Sequence, residues 1–175
     1  MVAALVLLVA GCAGGPTLKD SPDSPFIPTP AAVVEEMLDL ASVTPADVIY
    51  DLGSGDGRIV IAAARRGARA VGIELDAQLV ADSRDRAFAA GLADRATFVW
   101  QDALKADLGT ATVVTLYLFP ELNAKLAPKF LTELKPGTRV VSHRFPVADW
   151  TPRRTLAPDG VRRPYPVYFY VIPAR

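Results

Sequence analysis

A single cysteine and a single histidine stand among the 175 residues. One cysteine excludes an intramolecular disulfide, and the two together leave too few soft ligands for a zinc site. An excess of charge is missing too: nineteen Lys and Arg balance nineteen Asp and Glu. That balance argues against wholesale nucleic-acid binding, in which basic side chains neutralise phosphates. The apolar run Val2 to Ala10 would rise roughly 14 Å as a helix, about half a bilayer core, too little to span one. What remains is 51% hydrophobic and 22% charged, the make-up of one folded domain.

The charge balance conceals a gradient. Residues 139–175 carry seven arginines against Asp149 and Asp159, so the C-terminal quarter is basic and the body acidic. A solvated face is the plain reading, and a contact patch for an acidic partner the sharper one.

Val2 to Ala10 has the length of a signal-peptide core. Val9-Ala10-Gly11-Cys12 resembles the lipobox of bacterial lipoproteins, which makes Cys12 a candidate lipidation site. No Lys or Arg precedes the run, so the basic part of such a signal is missing and a fortuitous apolar terminus is the alternative. Five prolines between Pro16 and Pro30 remove donors and fix φ, as in a tether. The expected organisation is an apolar segment over 1–12, a Pro-rich tether over 13–27 and one domain over 28–175.

Within that domain strand and helix alternate. Thr29-Pro30 offers an N-cap hydroxyl and a first-turn proline, and Val33, Val34, Met37, Leu38 and Ala41 then share one helix face. Strands are expected over 48–52, 70–74, 96–100, 113–118, 138–143 and 165–172. Helices are expected over 59–64, 77–90 and 121–134, the last despite Pro128. Five alternations followed by β-only sequence imply an α/β fold, a doubly wound and mostly parallel sheet with an antiparallel C-terminal edge.

In such a sheet ligands bind beyond the carboxyl ends of the strands. There the chain reads Asp51-Leu52-Gly53-Ser54-Gly55-Asp56-Gly57-Arg58, three alternate glycines that permit positive φ and close approach to bare main chain. Glu74 ends the second strand, where a carboxylate can accept from both hydroxyls of a ribose. Asp102 follows the third strand, where an adenine amine would lie. The glycines could instead serve only a tight turn. A dinucleotide-binding turn reads G-x-G-x-x-G, but Arg58 stands where its third glycine belongs. Asp51 and Asp56 suit a ligand with a cationic amine better than a pyrophosphate. Charge therefore favours S-adenosylmethionine over NAD.

Residues 48–143 resemble a class I S-adenosylmethionine-dependent methyltransferase of the Rossmann-like kind. Asp51 to Gly57 is similar to that family's first motif, Val71 to Asp76 to its acidic second motif and Gln101-Asp102-Ala103 to its third. Pro28-Thr29-Pro30, Asp51 to Ile61, Thr112 to Leu118 and Val141-Ser142-His143 are similar to a small protein-lysine N-methyltransferase family. It is the ATP synthase c-subunit and adenine nucleotide translocase type, whose eukaryotic members modify mitochondrial inner-membrane proteins. The resemblance implies a seven-stranded sheet. It also implies that Asp51, Gly53, Ser54, Gly55, Asp56 and Gly57 surround the cofactor, Glu74 holds its ribose and Asp102 its adenine.

A lysine nucleophile must lose its proton before it accepts a methyl group. Methyltransferases acting on amide or exocyclic nitrogens carry (Asp/Asn)-Pro-Pro-(Tyr/Phe) after the fourth strand; this chain has Leu116-Tyr117-Leu118-Phe119-Pro120. Tyr117 is a candidate for shaping the methyl channel, and His143 a candidate proton acceptor near neutral pH. The expected partners are a protein substrate, a membrane protein among the options, and a membrane reached through the N-terminus. No nucleic acid is expected, and the chain is expected to be a monomer. Two other readings stay open: a lipid-anchored nucleoside-binding module without catalysis, and a nicotinamide-dependent oxidoreductase. The side of the membrane stays open as well, since a lipoprotein-type signal exports the domain from the compartment where S-adenosylmethionine is made.

Overall fold

The computed structural model describes residues 26–174. The apolar segment, Cys12 and the tether up to residue 25 lie outside the described residues, so the expectations placed on them have no structural counterpart here. Short β-branched runs become the strands β1 (Val48–Leu52), β2 (Arg69–Glu74), β3 (Ala96–Trp100), β4 (Val113–Leu116), β5 (Arg139–His143), β6 (Arg154–Leu156) and β7 (Val167–Val171). Segments with helical periodicity become α1 (Ala31–Leu40), α2 (Arg58–Arg65), α3 (Ala77–Ala89) and α4 (Pro120–Glu133).

The strands form one seven-stranded sheet in the order β3-β2-β1-β4-β5-β7-β6. β1 to β5 pair in parallel, and β7 runs antiparallel between β5 and β6. Successive side chains on a strand point to opposite faces, and both faces are covered. Val33, Met37 and Leu38 of α1 and Val60 and Ala63 of α2 bury Ile49, Ala70 and Val141 on one side. Leu126 and Phe130 of α4 bury Leu52, Val114 and Val140 on the other. Strand order reverses between β1 and β4, and that switch point opens a crevice at their carboxyl ends.

Four expectations need correction. Thr29 does not cap α1: Pro30 is the capping position, without a side-chain bond, and the Thr29 hydroxyl lies 3.3 Å from His143 Nδ1 instead. The four helices among the described residues are the four that periodicity places, and they make four strand–helix alternations rather than five. The passage from β3 to β4 is irregular and buries Ala106, Leu108 and Ala111. β4 stops at Leu116, so Tyr117 and Leu118 leave the sheet and turn toward the crevice. β6 escapes a periodicity reading because it is three residues long and mostly exposed. No helix among the described residues is long and apolar enough to cross a membrane.

Candidate active site

β1 delivers the chain to the crevice and the glycine loop reverses it into α2. Gly53, Gly55 and Gly57 take φ of 71°, 53° and 78°, the left-handed region closed to most side chains. The loop is fastened to the end of β2. Gly53 and Ser54 donate their N–H groups to the Ile73 carbonyl at 2.9 and 3.0 Å, and Gly55 N–H donates to Glu74 Oε2 at 2.8 Å. Glu74 Oε1 accepts from the N–H groups of Leu75 and Asp76 at 2.7 and 2.9 Å. A carboxylate offers about four lone-pair positions, so Oε2 keeps one to present to a ligand.

The crevice is a cavity of about 740 Å³, within the usual range for a small-molecule site. Asp51, Gly53, Ser54, Asp56, Glu74, Asp102 and Tyr117 all line it, as the sequence reading anticipates. Gly55, Gly57 and His143 do not. A Cβ on Gly57 would lie 2.7 Å from the Phe98 ring and 2.9 Å from Ser83 Oγ, so that glycine serves interior packing. A Cβ on Gly55 would strike Phe26 at 2.2 Å.

The carboxylates differ in state. Asp51 is buried; loss of solvent raises its pKa to about 7, and the charges of Glu74 and Asp56 add to the rise against a hydrogen bond from Thr115. That bond runs from Thr115 Oγ1 to Asp51 Oδ1 at 2.7 Å. Asp56 is already neutralised. Arg58 holds it with Nε at 2.9 Å and Nη2 at 2.6 Å, and Arg86 approaches to 3.4 Å. Hydrogen bonding from Arg58 keeps its pKa below the ordinary value. The negative charge free for a cationic ligand is therefore that of Asp51 and Glu74. Asp102 accepts from Leu104 N–H at 2.9 Å and has Lys105 Nζ at 3.7 Å.

At the β4 end of the cavity Tyr117 is half-buried, its ring 4.3 Å from that of His143. His143 is 1% exposed and lies behind Tyr117, with no hydrogen-bond partner for Nε2. Burial, helped by the Arg144 charge, lowers its pKa to about 4. His143 stands behind the wall rather than on it, and so low a pKa makes it a weak base near neutral pH, so the structure does not bring the expected proton acceptor to the cavity.

Several residues of the site escaped the sequence reading. Phe26 and Ile27 line the cavity mouth, each 46% exposed, and Arg58 Nη1 ties that segment down through the Thr29 carbonyl at 2.7 Å. Arg144 reaches Tyr117 from the end of β5. No local pattern marks contacts between positions so far apart in the chain, although the apolar pair ending a Pro-rich tether was a usable sign for Phe26 and Ile27.

A main-chain cradle without Cβ atoms at Gly53, a carboxylate with a free acceptor position at Glu74 and a buried acid facing the cavity fit S-adenosylmethionine. With the sheet order, they define a class I S-adenosylmethionine-dependent methyltransferase. The ANTKMT methyltransferase domain model matches residues 51–154, and the chain belongs to that family. It is 40% identical over 153 residues to a protein-lysine N-methyltransferase of Saccharolobus islandicus, covering 86% of this chain and 95% of that one. It is 40% identical over 137 residues to the mouse lysine N-methyltransferase of the ATP synthase c-subunit, covering 78% of this chain and spanning 55% of that longer protein. Among solved structures, an RNA methyltransferase from Salinibacter ruber in complex with S-adenosyl-L-homocysteine superposes with a TM-score of 0.81 at 52% identity, covering 85% and 95% of the two chains.

Proposed function

We propose that this methyltransferase acts on the ε-amine of lysine in a protein substrate. The observation that carries the reading is the match to the Saccharolobus protein-lysine N-methyltransferase over 86% of this chain and 95% of that one. The cavity supports it. With Asp56 paired to Arg58 and Arg86, its wall still holds Asp51, Glu74, Asp76, Asp102 and Glu121 against Lys125. Such a wall attracts a lysine and repels a phosphate backbone. Tyr117 and Leu118 stand where base-directed enzymes hold an amide or acid, so no planar clamp for an exocyclic amine is present at that turn. The likeness to the Salinibacter RNA methyltransferase favours a second reading, an RNA acceptor.

When bound, the cofactor supplies an electrophilic methyl group on a sulfonium. Glu74 would present its remaining acceptor position to the ribose, Asp102 the Oδ2 it shares with Lys105 to the adenine, and Gly53 and Ser54 bare backbone to the cofactor's body. Asp51, once ionised, would face the cationic amine. Tyr117 would line the path of the acceptor. In the same reading, the apolar segment and Cys12 attach the domain to a membrane, on a side yet to be assigned, and the domain works as a monomer on a protein held near that surface.

The test is transfer of tritiated methyl from S-adenosylmethionine to a cell extract, followed by protease or RNase. Protease-sensitive label supports the lysine reading; label released by RNase replaces it with the RNA reading. Growth with a labelled lipid precursor that leaves Cys12 unmodified would remove the lipidated anchor.

A further inference from the structure

β5 does not end in an ordinary turn. The Phe145 N–H donates to the His143 carbonyl at 2.8 Å across Arg144, whose φ is 68°. This is a γ-turn centred on a non-glycine residue in the left-handed region, a rare and strained form. Its surroundings hold it in place: Arg144 N–H donates to the Pro166 carbonyl at 2.7 Å, and Asn123 Nδ2 donates to the Pro146 carbonyl at 3.0 Å. Strain maintained this way gathers at functional positions, and glycine would remove it.

The turn aims one side chain. The Arg144 guanidinium lies 4.1 Å from the Tyr165 ring centroid and 4.9 Å from that of Phe145, and its Nη1 donates to Tyr117 Oη at 3.4 Å. Tyr117 is thereby held twice, by the His143 ring at its side and by Arg144 at its hydroxyl. A phenol oxygen has two acceptor positions and one proton; Arg144 occupies one position and leaves the rest for the cavity. The titratable groups facing Arg144 are Tyr117, His143 and Tyr165. Among the described residues no carboxylate forms an ion pair with Arg144, so its charge is not cancelled locally.

We propose that Arg144 is a positioning residue for methyl transfer: it orients the Tyr117 hydroxyl at the cavity wall and, as a fixed cation behind that wall, favours the unprotonated form of the acceptor amine. This rests on the lysine reading above. An ammonium has no lone pair to attack with, and a like charge beside it lowers its pKa.

The experiment measures methyl transfer to poly-L-lysine between pH 6 and 10 for the unaltered chain and for Arg144→Met, Arg144→Lys and Arg144→Gly. Thermal melts and S-adenosylhomocysteine titrations accompany it. Arg144→Met is expected to lower the plateau of kcat roughly ten- to a hundredfold and to move the acidic limb of the kcat profile, which reports the bound amine, upward by on the order of one pH unit. Arg144→Lys restores the limb more than the rate, because the charge returns without the planar fork. Arg144→Gly melts no lower than the unaltered chain yet loses transfer as Arg144→Met does. S-adenosylhomocysteine affinity stays the same throughout. An unshifted limb and rate in Arg144→Met, or full activity in Arg144→Gly, overturns the proposal while leaving the lysine reading intact. Failure of the unaltered chain to label poly-L-lysine and membrane-protein extracts alike overturns both.

Discussion

Glu74→Gln separates the two tasks of the carboxylate that joins the glycine loop to β2. Three backbone donors converge on it, from Gly55 at 2.8 Å, Leu75 at 2.7 Å and Asp76 at 2.9 Å, and the residue is buried. Glutamine keeps the shape. Its carbonyl can retain the Leu75 and Asp76 bonds as neutral ones, but its amide then faces the Gly55 N–H, donor against donor. A stranded donor and two weakened bonds cost about 2–4 kcal/mol. Removing the charge also relieves Asp51, whose pKa Glu74 helps to raise, so the lower half of that range is expected. For a domain of this size that corresponds to a fall in Tm of roughly 4–12 °C. S-adenosylhomocysteine affinity should drop roughly 5- to 150-fold, the loss of one charged hydrogen-bonding partner. Thermal melts and calorimetric titration read the two effects separately. A variant that melts with the parent and binds S-adenosylhomocysteine equally well would refute the assignment.

Three further outcomes follow from the same geometry. Asp51 has its pKa raised to about 7, so between its ordinary value and 7 the folded state binds more protons than the unfolded one. Stability therefore falls as pH rises through that window, and Asp51→Asn should flatten the slope while abolishing any gain in S-adenosylmethionine affinity above pH 7. Asp47 behaves in the opposite sense: burial raises its pKa, but bonds from Thr112, Thr44 and Arg139 outweigh burial and leave it lowered. Its contribution is present at neutral pH and lost as pH falls below the ordinary carboxylate value, so Asp47→Asn should destabilise at pH 7 and converge with the parent in acid unfolding curves. Gly57→Ala combines a left-handed φ of 78° with a Cβ 2.7 Å from Phe98. It should lower stability by about 2–4 kcal/mol in denaturant titrations, whereas an unchanged midpoint would show that the loop relaxes freely.

What was legible from the sequence was local. β1 and β3 fall on the expected residues because β-branched runs bounded by turn residues report their own conformation. The cavity wall was legible for a related reason: Asp51, Gly53, Glu74 and Asp102 each lie at or just beyond the carboxyl end of a strand, and a parallel sheet brings all such ends to one rim. Most of the misses depend on partners distant in sequence. Thr29 looked like a helix cap but lies against His143 across the fold. Asp56 looked like free negative charge until Arg58 and Arg86 were seen to hold it. His143 looked like a rim base, yet burial makes it a neutral support for Tyr117. The strained turn at Arg144 has no sequence signature, since glycine or asparagine is the residue such a conformation leads one to expect.

The methylated product reveals the chemical identity of the acceptor. Acid hydrolysis of protein labelled by this chain with tritiated S-adenosylmethionine, followed by amino-acid chromatography, tests it most directly. Label is expected to elute with mono-, di- or trimethyllysine and to be lost in Glu74→Ala. Label eluting with methylarginine, or recovered in a methylated nucleoside instead, would contradict it.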